Sequence, residues 1–357
     1  MPRSARSAEG RCTEERSVPV RCRRYVHRLL TGVLALGLVP AVMACGSSEA
    51  GNASQMGNAL NDPNAAASSS GTIRVSDIEV PGPASNLADP ETGTPNVVGA
   101  AAVPVRVYEP AAAKKEPWAT LVWAHGGSFM RGTLDWPEAD WVSRRFAEAG
   151  LRVLSVDYTL ASDAAHAPAP VNDVAAVLRR VLDRVSGPVF VGGASAGGQL
   201  AVASTLQSSS WATGNRVAGL ALVYPTLHRV QRPAPEISQL TASLPEERRF
   251  RPERIAEMYR VHLGDGTTPV VGELASEQLA ALPPTVTVAA DADDLRASAE
   301  QFTEQLHDAG VDAAFRVQPG TVHGYLNRPE ESVRARQDAQ HTIDIIVDHL
   351  RGLMNAQ

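Results

Sequence analysis

Gly193-Ala194-Ser195-Ala196-Gly197 sets one hydroxyl among four residues with almost no side chain. The stretch follows an apolar run at 189–192 and opens a small-residue helical segment at Ala196. A G-x-S-x-G spacing between strand and helix is the setting of a nucleophile elbow, whose sharp turn strains the serine backbone. Glycines two positions either side let strand and helix pass closely. A phosphate- or dinucleotide-binding turn would instead need G-x-G-x-x-G and a later acid. Gly193-Ala194-Ser195-Ala196-Gly197-Gly198 does not have that spacing, so no cofactor is expected.

A serine hydroxyl is a poor nucleophile until a base takes its proton and an acid orients that base. After a nucleophile elbow the two partners follow in the order acid, then histidine, each in a loop after a late strand. His323 stands in Pro319-Gly320-Thr321-Val322-His323-Gly324, directly after a strand expected at 314–317. His307 and His341 lie within amphipathic helical patterns and read as surface residues. The acid comes from Asp291, Asp293 or Asp294, at the end of a strand expected at 285–290. Position alone leaves Asp291 and Asp293 level. An oxygen-ligand metal loop needs more widely spaced donors, so no metal is expected, and one or two of these aspartates are expected to cap the next helix.

Acyl transfer also needs N–H donors aimed at the developing oxyanion, each worth about 3–4 kcal/mol. His125-Gly126-Gly127-Ser128 follows an apolar strand at 118–124. Gly126 and Gly127 offer two unobstructed amides there, and Ala196 offers a third.

The elements that must hold these residues alternate. Strands are expected at 72–80, 103–108, 118–124, 153–158, 189–192, 217–224, 285–290 and 314–317. Helical spacing appears at 139–149, 171–185, from 196, at 299–309 and at 332–350. The runs at 118–124 and 153–158 are almost continuously apolar, as central strands covered on both faces are. The pattern predicts an α/β fold with a doubly wound, mostly parallel sheet and helices on both faces. Residues 227–283, rich in Pro, Glu and Arg, interrupt the rhythm and read as a small lid insertion.

Together, His125-Gly126-Gly127, Gly193–Gly198, Asp293-Asp294-Leu295-Arg296 and His323-Gly324 resemble the hormone-sensitive-lipase-like branch of α/β-hydrolase fold esterases. Val223-Tyr224-Pro225, Asp157-Tyr158-Thr159-Leu160-Ala161 and Leu282-Pro283-Pro284 extend the similarity over about residues 100–325. That family's D-x-L-x-D motif begins with the acid, which selects Asp293 because Leu295 follows at the right offset. The resemblance implies Ser195 as nucleophile, His323 as base and Gly126, Gly127 and Ala196 as oxyanion donors. It gives His125 a bracing role without proton transfer. The chain departs from the family at Ser128, Ala194, Thr159, Ser162, Asp163 and Ala297, and the region where family members usually carry N-terminal cap helices reads mostly as tether, so family substrate preferences do not carry over. The function implied is a serine carboxylic-ester hydrolase acting through an acyl-enzyme on small-molecule esters with short to medium acyl groups. An amidase or peptidase with the same triad, and a non-catalytic surface-tethered binding protein, are the alternatives.

Residues 1–44 carry eight arginines against three glutamates, while the chain as a whole has a net charge of −6. That acidic balance argues against a nucleic-acid partner. The arginines precede sixteen uncharged residues, 29–44, too short a run for a membrane span and suited to a signal peptide. Val42-Met43-Ala44-Cys45 resembles a bacterial lipoprotein signal, which implies a lipid on Cys45. A plain secretory signal cut after Ala44, or a short anchor helix, is the competing reading. The three cysteines are Cys12, Cys22 and Cys45, so the folded part has no disulfide or thiolate metal site to offer. The expected organisation is a signal peptide at 1–44, a flexible Ser/Asn/Gly-rich tether at 45–71 and a hydrolase domain at 72–357. The expected place is outside the cell, on the outer face of the cytoplasmic membrane if Cys45 is lipidated and otherwise secreted.

Overall fold

The computed structural model describes residues 68–70, 73–83, 85–88, 95–98, 101–111, 116–211 and 216–355. The expected signal peptide, Cys45 and nearly all of the expected tether lie outside them. The exception is Ser68–Ser70 (β1), which the sequence assigns to the tether but which pairs antiparallel with Ile73–Val80 (β2). Edge pairing needs only backbone N–H and C=O groups, so a serine run without a hydrophobic signal can still make it.

The chain continues through a short hairpin, Ser85–Ala88 (β3) and Pro95–Val98 (β4), to Val103–Pro110 (β5) and Thr120–Ala124 (β6). Asp140–Glu148 (α1), Arg152–Val156 (β7), Ala169–Leu182 (α2), Val189–Ala194 (β8), Ala196–Ser208 (α3) and Val217–Val223 (β9) follow in alternation. An insertion carries Pro235–Thr241 (α4), Pro252–Leu263 (α5) and Ser276–Leu279 (α6). The chain then returns through Thr285–Ala292 (β10), Arg296–Asp308 (α7), Ala313–Val322 (β11) and Val333–Asn355 (α8). Among the described residues one sheet has nine strands in the order β1-β2-β5-β7-β6-β8-β9-β10-β11. The strands from β7 to β11 in that order run parallel, and β1, β2 and β5 form an antiparallel edge.

Both faces of the central strands are apolar, as the continuous runs require. In β6, Leu121 and Trp123 face the layer made by α1 and α8, with Phe146, Ile343 and Leu350. Val122 and Ala124 face the opposite layer, with Val174 of α2, Leu200 of α3 and Phe302 of α7. Strand order reverses beside β6, whose neighbours are β7 and β8, and a parallel sheet opens its ligand crevice at the C-terminal ends of the strands at such a point.

The insertion is part of the core. Phe250, Ile255, Met258, Tyr259 and Leu263 are buried with the α2–α3 layer, and Ile237 is buried as well. Its contact with the loop after β6 is aromatic: His262 of α5 stacks on Phe129 at 3.8 Å between ring centroids and 12°. His262 is fully buried, and neither ring nitrogen has a hydrogen-bond partner among the described residues. Burial, helped by the nearby His166, pushes its pKa down to about 4. The unfolded chain therefore takes up a proton below about pH 6.5 that the folded chain refuses, and stability falls as the pH drops toward 4. At pH 5 the loss is about 2 kcal/mol. His262→Phe, which keeps the stack and removes the titration, is expected to flatten the fall in unfolding midpoint between pH 7 and pH 5. Calorimetry of both proteins across that range checks it.

Candidate active site

β8 ends at Ala194 and α3 starts at Ala196, so Ser195 alone makes the turn, at φ 52° and ψ −116°. The region is unfavourable for a residue with a Cβ and persists only where the surroundings dictate it. Here Ser195 N–H donates to the Val223 carbonyl on β9 at 2.9 Å, and the Ser195 carbonyl accepts from Gly198 and Thr226 at 3.1 and 3.2 Å. A Cβ on Gly197 would run into the Ala124 and His125 carbonyls, and one on Gly193 into the backbone of Gly197. Those glycines are the condition for α3 to leave so close to β6.

Ser195 Oγ lies 3.0 Å from His323 Nε2, and His323 Nδ1 lies 2.7 Å from Asp293 Oδ2. A carboxylate can only accept, so Nδ1 carries the hydrogen and neutral His323 presents the Nε2 lone pair to the serine hydroxyl. Asp293 Oδ1 accepts the Leu295 amide at 2.9 Å, and the side chain is buried. The register between β10 and β11 makes this meeting possible. It runs evenly to Ala290 opposite Gln318 and then jumps to Ala292 opposite Val322. The extra residues on β11 form a bulge through Gly320, at φ 72°, which brings His323 level with Asp293.

The three aspartates that the sequence left close together have separate partners. Asp291 Oδ2 accepts the Gly320 amide at 2.8 Å and so pins the bulge. Asp293 holds the histidine. Asp294 accepts two hydrogen bonds from Arg249 and one from the Phe250 amide, both in the insertion. One of them caps α7, as expected: Asp293 Oδ1 accepts the Leu295 amide, and its carbonyl the Arg296 amide, in the turn that opens that helix. The three also reach partners distant in sequence.

The Gly126 amide, expected to face an oxyanion, donates to Glu138 Oε2 at 2.5 Å and is not free for one. A buried carboxylate is a stronger acceptor than any neutral group and takes the nearest amide. Gly127 (φ 112°) and Ser128 (φ 57°) turn the loop back, and no acceptor is recorded for either amide among the described residues. A Cβ on Gly127 would strike the Arg131 carbonyl. The Ala196 amide opens α3 and so lacks a partner within the helix. The free amides of this loop and of the elbow therefore belong to Gly127, Ser128 and Ala196.

Glu138 went unnoticed in the sequence because it stands in a short polar turn with no periodic or motif signal. Its other oxygen accepts the Tyr224 hydroxyl at 2.6 Å, and burial reinforced by the Glu138 charge pushes the Tyr224 pKa well up. Tyr224 in turn flanks the His323 ring at 4.9 Å and 60°, while Phe250 flanks it at 4.4 Å and 59°. His125 makes no contact with the serine hydroxyl. Its ring stacks on Tyr158 at 4.5 Å, its Nδ1 sits 2.7 Å from the Gly126 carbonyl, and burial lowers its pKa so that it stays neutral.

Replacing Glu138 by Gln tests the loop. A carboxamide can still accept from Gly126 and donate to the Tyr224 oxygen, but both bonds lose their charge assistance, at a cost of about 1–2 kcal/mol. A lowered urea midpoint with an unchanged slope is the expected outcome. An unaltered midpoint would mean that the Glu138 contacts do not hold the loop.

The α/β-hydrolase fold family matches residues 121–327. The carboxylesterase NlhH of Mycobacterium tuberculosis is 31% identical over 235 residues, which cover 63% of this chain and 72% of that protein. An arylesterase of Saccharolobus solfataricus is 27% identical, over 64% of this chain and 75% of its own. The solved esterase of Pyrobaculum calidifontis superposes with a TM-score of 0.61 at 26% identity, over 77% of this chain and 86% of its own. With more than half its length matched and the sheet, elbow and loops in order, the chain belongs to the α/β-hydrolase fold family.

Proposed function

We propose that this chain, a carboxylesterase-type serine ester hydrolase, works through an acyl-enzyme on Ser195. The reading rests above all on the relay from Ser195 Oγ to His323 Nε2 at 3.0 Å and from His323 Nδ1 to Asp293 at 2.7 Å. As Ser195 Oγ attacks the ester carbonyl, His323 Nε2 accepts its proton, and Asp293 stays ionised to stabilise the imidazolium. Negative charge gathers on the former carbonyl oxygen, where the amides of Gly127, Ser128 and Ala196 receive it. His323 then gives its proton to the departing alcohol. Water, deprotonated by the same imidazole, attacks the acyl-serine and releases the acid.

The substrate class we favour is carboxylic esters with short to medium acyl groups. The compact insertion supports it, since it packs into the core with Tyr259 against Phe129 of the loop after β6. Cys45 is proposed to carry lipid that anchors the enzyme to the outer face of the cytoplasmic membrane. The run of sixteen uncharged residues ending at Ala44 supports that reading.

p-Nitrophenyl esters of graded acyl length, with the matching anilides, test the activity. Ser195→Ala is expected to lower ester kcat about 10⁴-fold or more while leaving the unfolding midpoint in place. Rates should fall with long acyl chains, and anilides should be turned over more slowly than esters. Turnover retained by Ser195→Ala would overturn the mechanism. For the anchor, Cys45→Ser expressed with its leader is expected to move from the detergent phase to the aqueous phase on phase separation. The same partitioning for both forms would remove it.

A further inference from the structure

Asp294 stands one residue beyond the triad aspartate and serves no triad partner. Its carboxylate receives Arg249 Nε at 2.8 Å, an Arg249 terminal nitrogen at 3.0 Å and the Phe250 amide at 2.7 Å. The two side chains are only 11% and 10% exposed, so the pair is almost wholly withdrawn from water. Burial disfavours the Asp294 charge, but the hydrogen bonds from Arg249 and Phe250 outweigh it and keep the carboxyl below its usual range. A buried ion pair is a weak source of stability, because desolvation offsets most of the attraction. A forked guanidinium on a carboxylate is instead a strong source of fixed geometry. What it fixes here is the next residue. Phe250 is drawn against the imidazole of His323 at 4.4 Å, with the Arg254 guanidinium 4.1 Å over its ring.

We propose that Asp294 is a positioning residue for specificity: it holds the insertion so that Phe250 forms the wall of the alcohol side of the site. The inference rests on the ester-hydrolase reading above. The departing alcohol takes its proton from His323 Nε2, so it leaves on the histidine's side. Phe250, resting on that imidazole, borders the alcohol and not the acyl group. A ring held there favours esters whose alcohol carries an apolar or aromatic group beside the ester oxygen. Asp293 and Asp294 thus divide one turn between them, the first holding the imidazole edge and the second the ring that covers its face.

Two substrate series separate this role from general support of the triad. One keeps the acetyl group and varies the alcohol from methyl to phenyl to naphthyl; the other keeps methanol and lengthens the acyl group. In Asp294→Asn, the naphthyl-to-methyl ratio of kcat/KM is expected to fall about tenfold, while the acyl-length profile keeps its shape within about twofold. Asp294→Glu, which retains the anion, should recover part of the ratio. Phe250→Leu should reproduce the change with the ion pair intact, which covers the case in which Asp294→Asn folds poorly. Labelling of Ser195 by a phosphonate gives the active fraction for each preparation. A parallel fall in both series, or no change in either, would overturn the proposal alone. A wild-type chain that turns over neither series and takes no phosphonate would overturn the ester-hydrolase reading and this proposal with it.

Discussion

The turn at Ser195 sets the terms for everything around it. A serine at φ 52° and ψ −116° has left the regions open to L-residues, and the strain has to be met by contacts on every side. The Val223 carbonyl fixes its amide, and the amides of Gly198 and Thr226 fix its carbonyl. These bonds tie the elbow to β9 and to the start of the insertion, so the serine can relax only if the sheet edge moves with it. Gly193 and Gly197 are the steric counterpart, since any Cβ there would meet backbone carbonyls that cannot retreat.

The histidine is fixed by a different economy. Its edge is held by the charge of Asp293 and its ring by Tyr224 and Phe250. Tyr224 is in turn held by Glu138, whose other oxygen holds the loop that carries the free amides. One buried carboxylate therefore joins the flank of the His323 imidazole to the loop that carries the free amides. Such networks are worth most when every member is satisfied. The insertion joins the same system through Asp294 and through the His262–Phe129 stack, which places two titratable groups in its seams.

Much of this was legible in the chain. Alternating strand and helix patterns gave the parallel sheet, because a strand buried on both faces has to be continuously apolar. The pairing of Ser195 with His323 was legible because an elbow needs small neighbours and because a histidine loop follows it after a late strand. Asp293 was separable from Asp291 only through resemblance to a family. Locally the two carboxylates are equivalent, and the bulge at Gly320 decides which one reaches the histidine.

Local sequence misleads at the Gly126 amide for a physical reason. That amide reads as free only if backbone groups meet their neighbours in sequence. A buried carboxylate seeks the nearest donor in space, and folding brings Glu138 under the loop and Arg249 against Asp294. The sequence by itself determined the sheet, the elbow and the kind of chemistry, since these depend on residue type, spacing and period. Tertiary structure alone decided which amides stay free, which aspartate meets the histidine and what covers the imidazole. Those outcomes are competitions among buried charges for partners that only packing brings within reach.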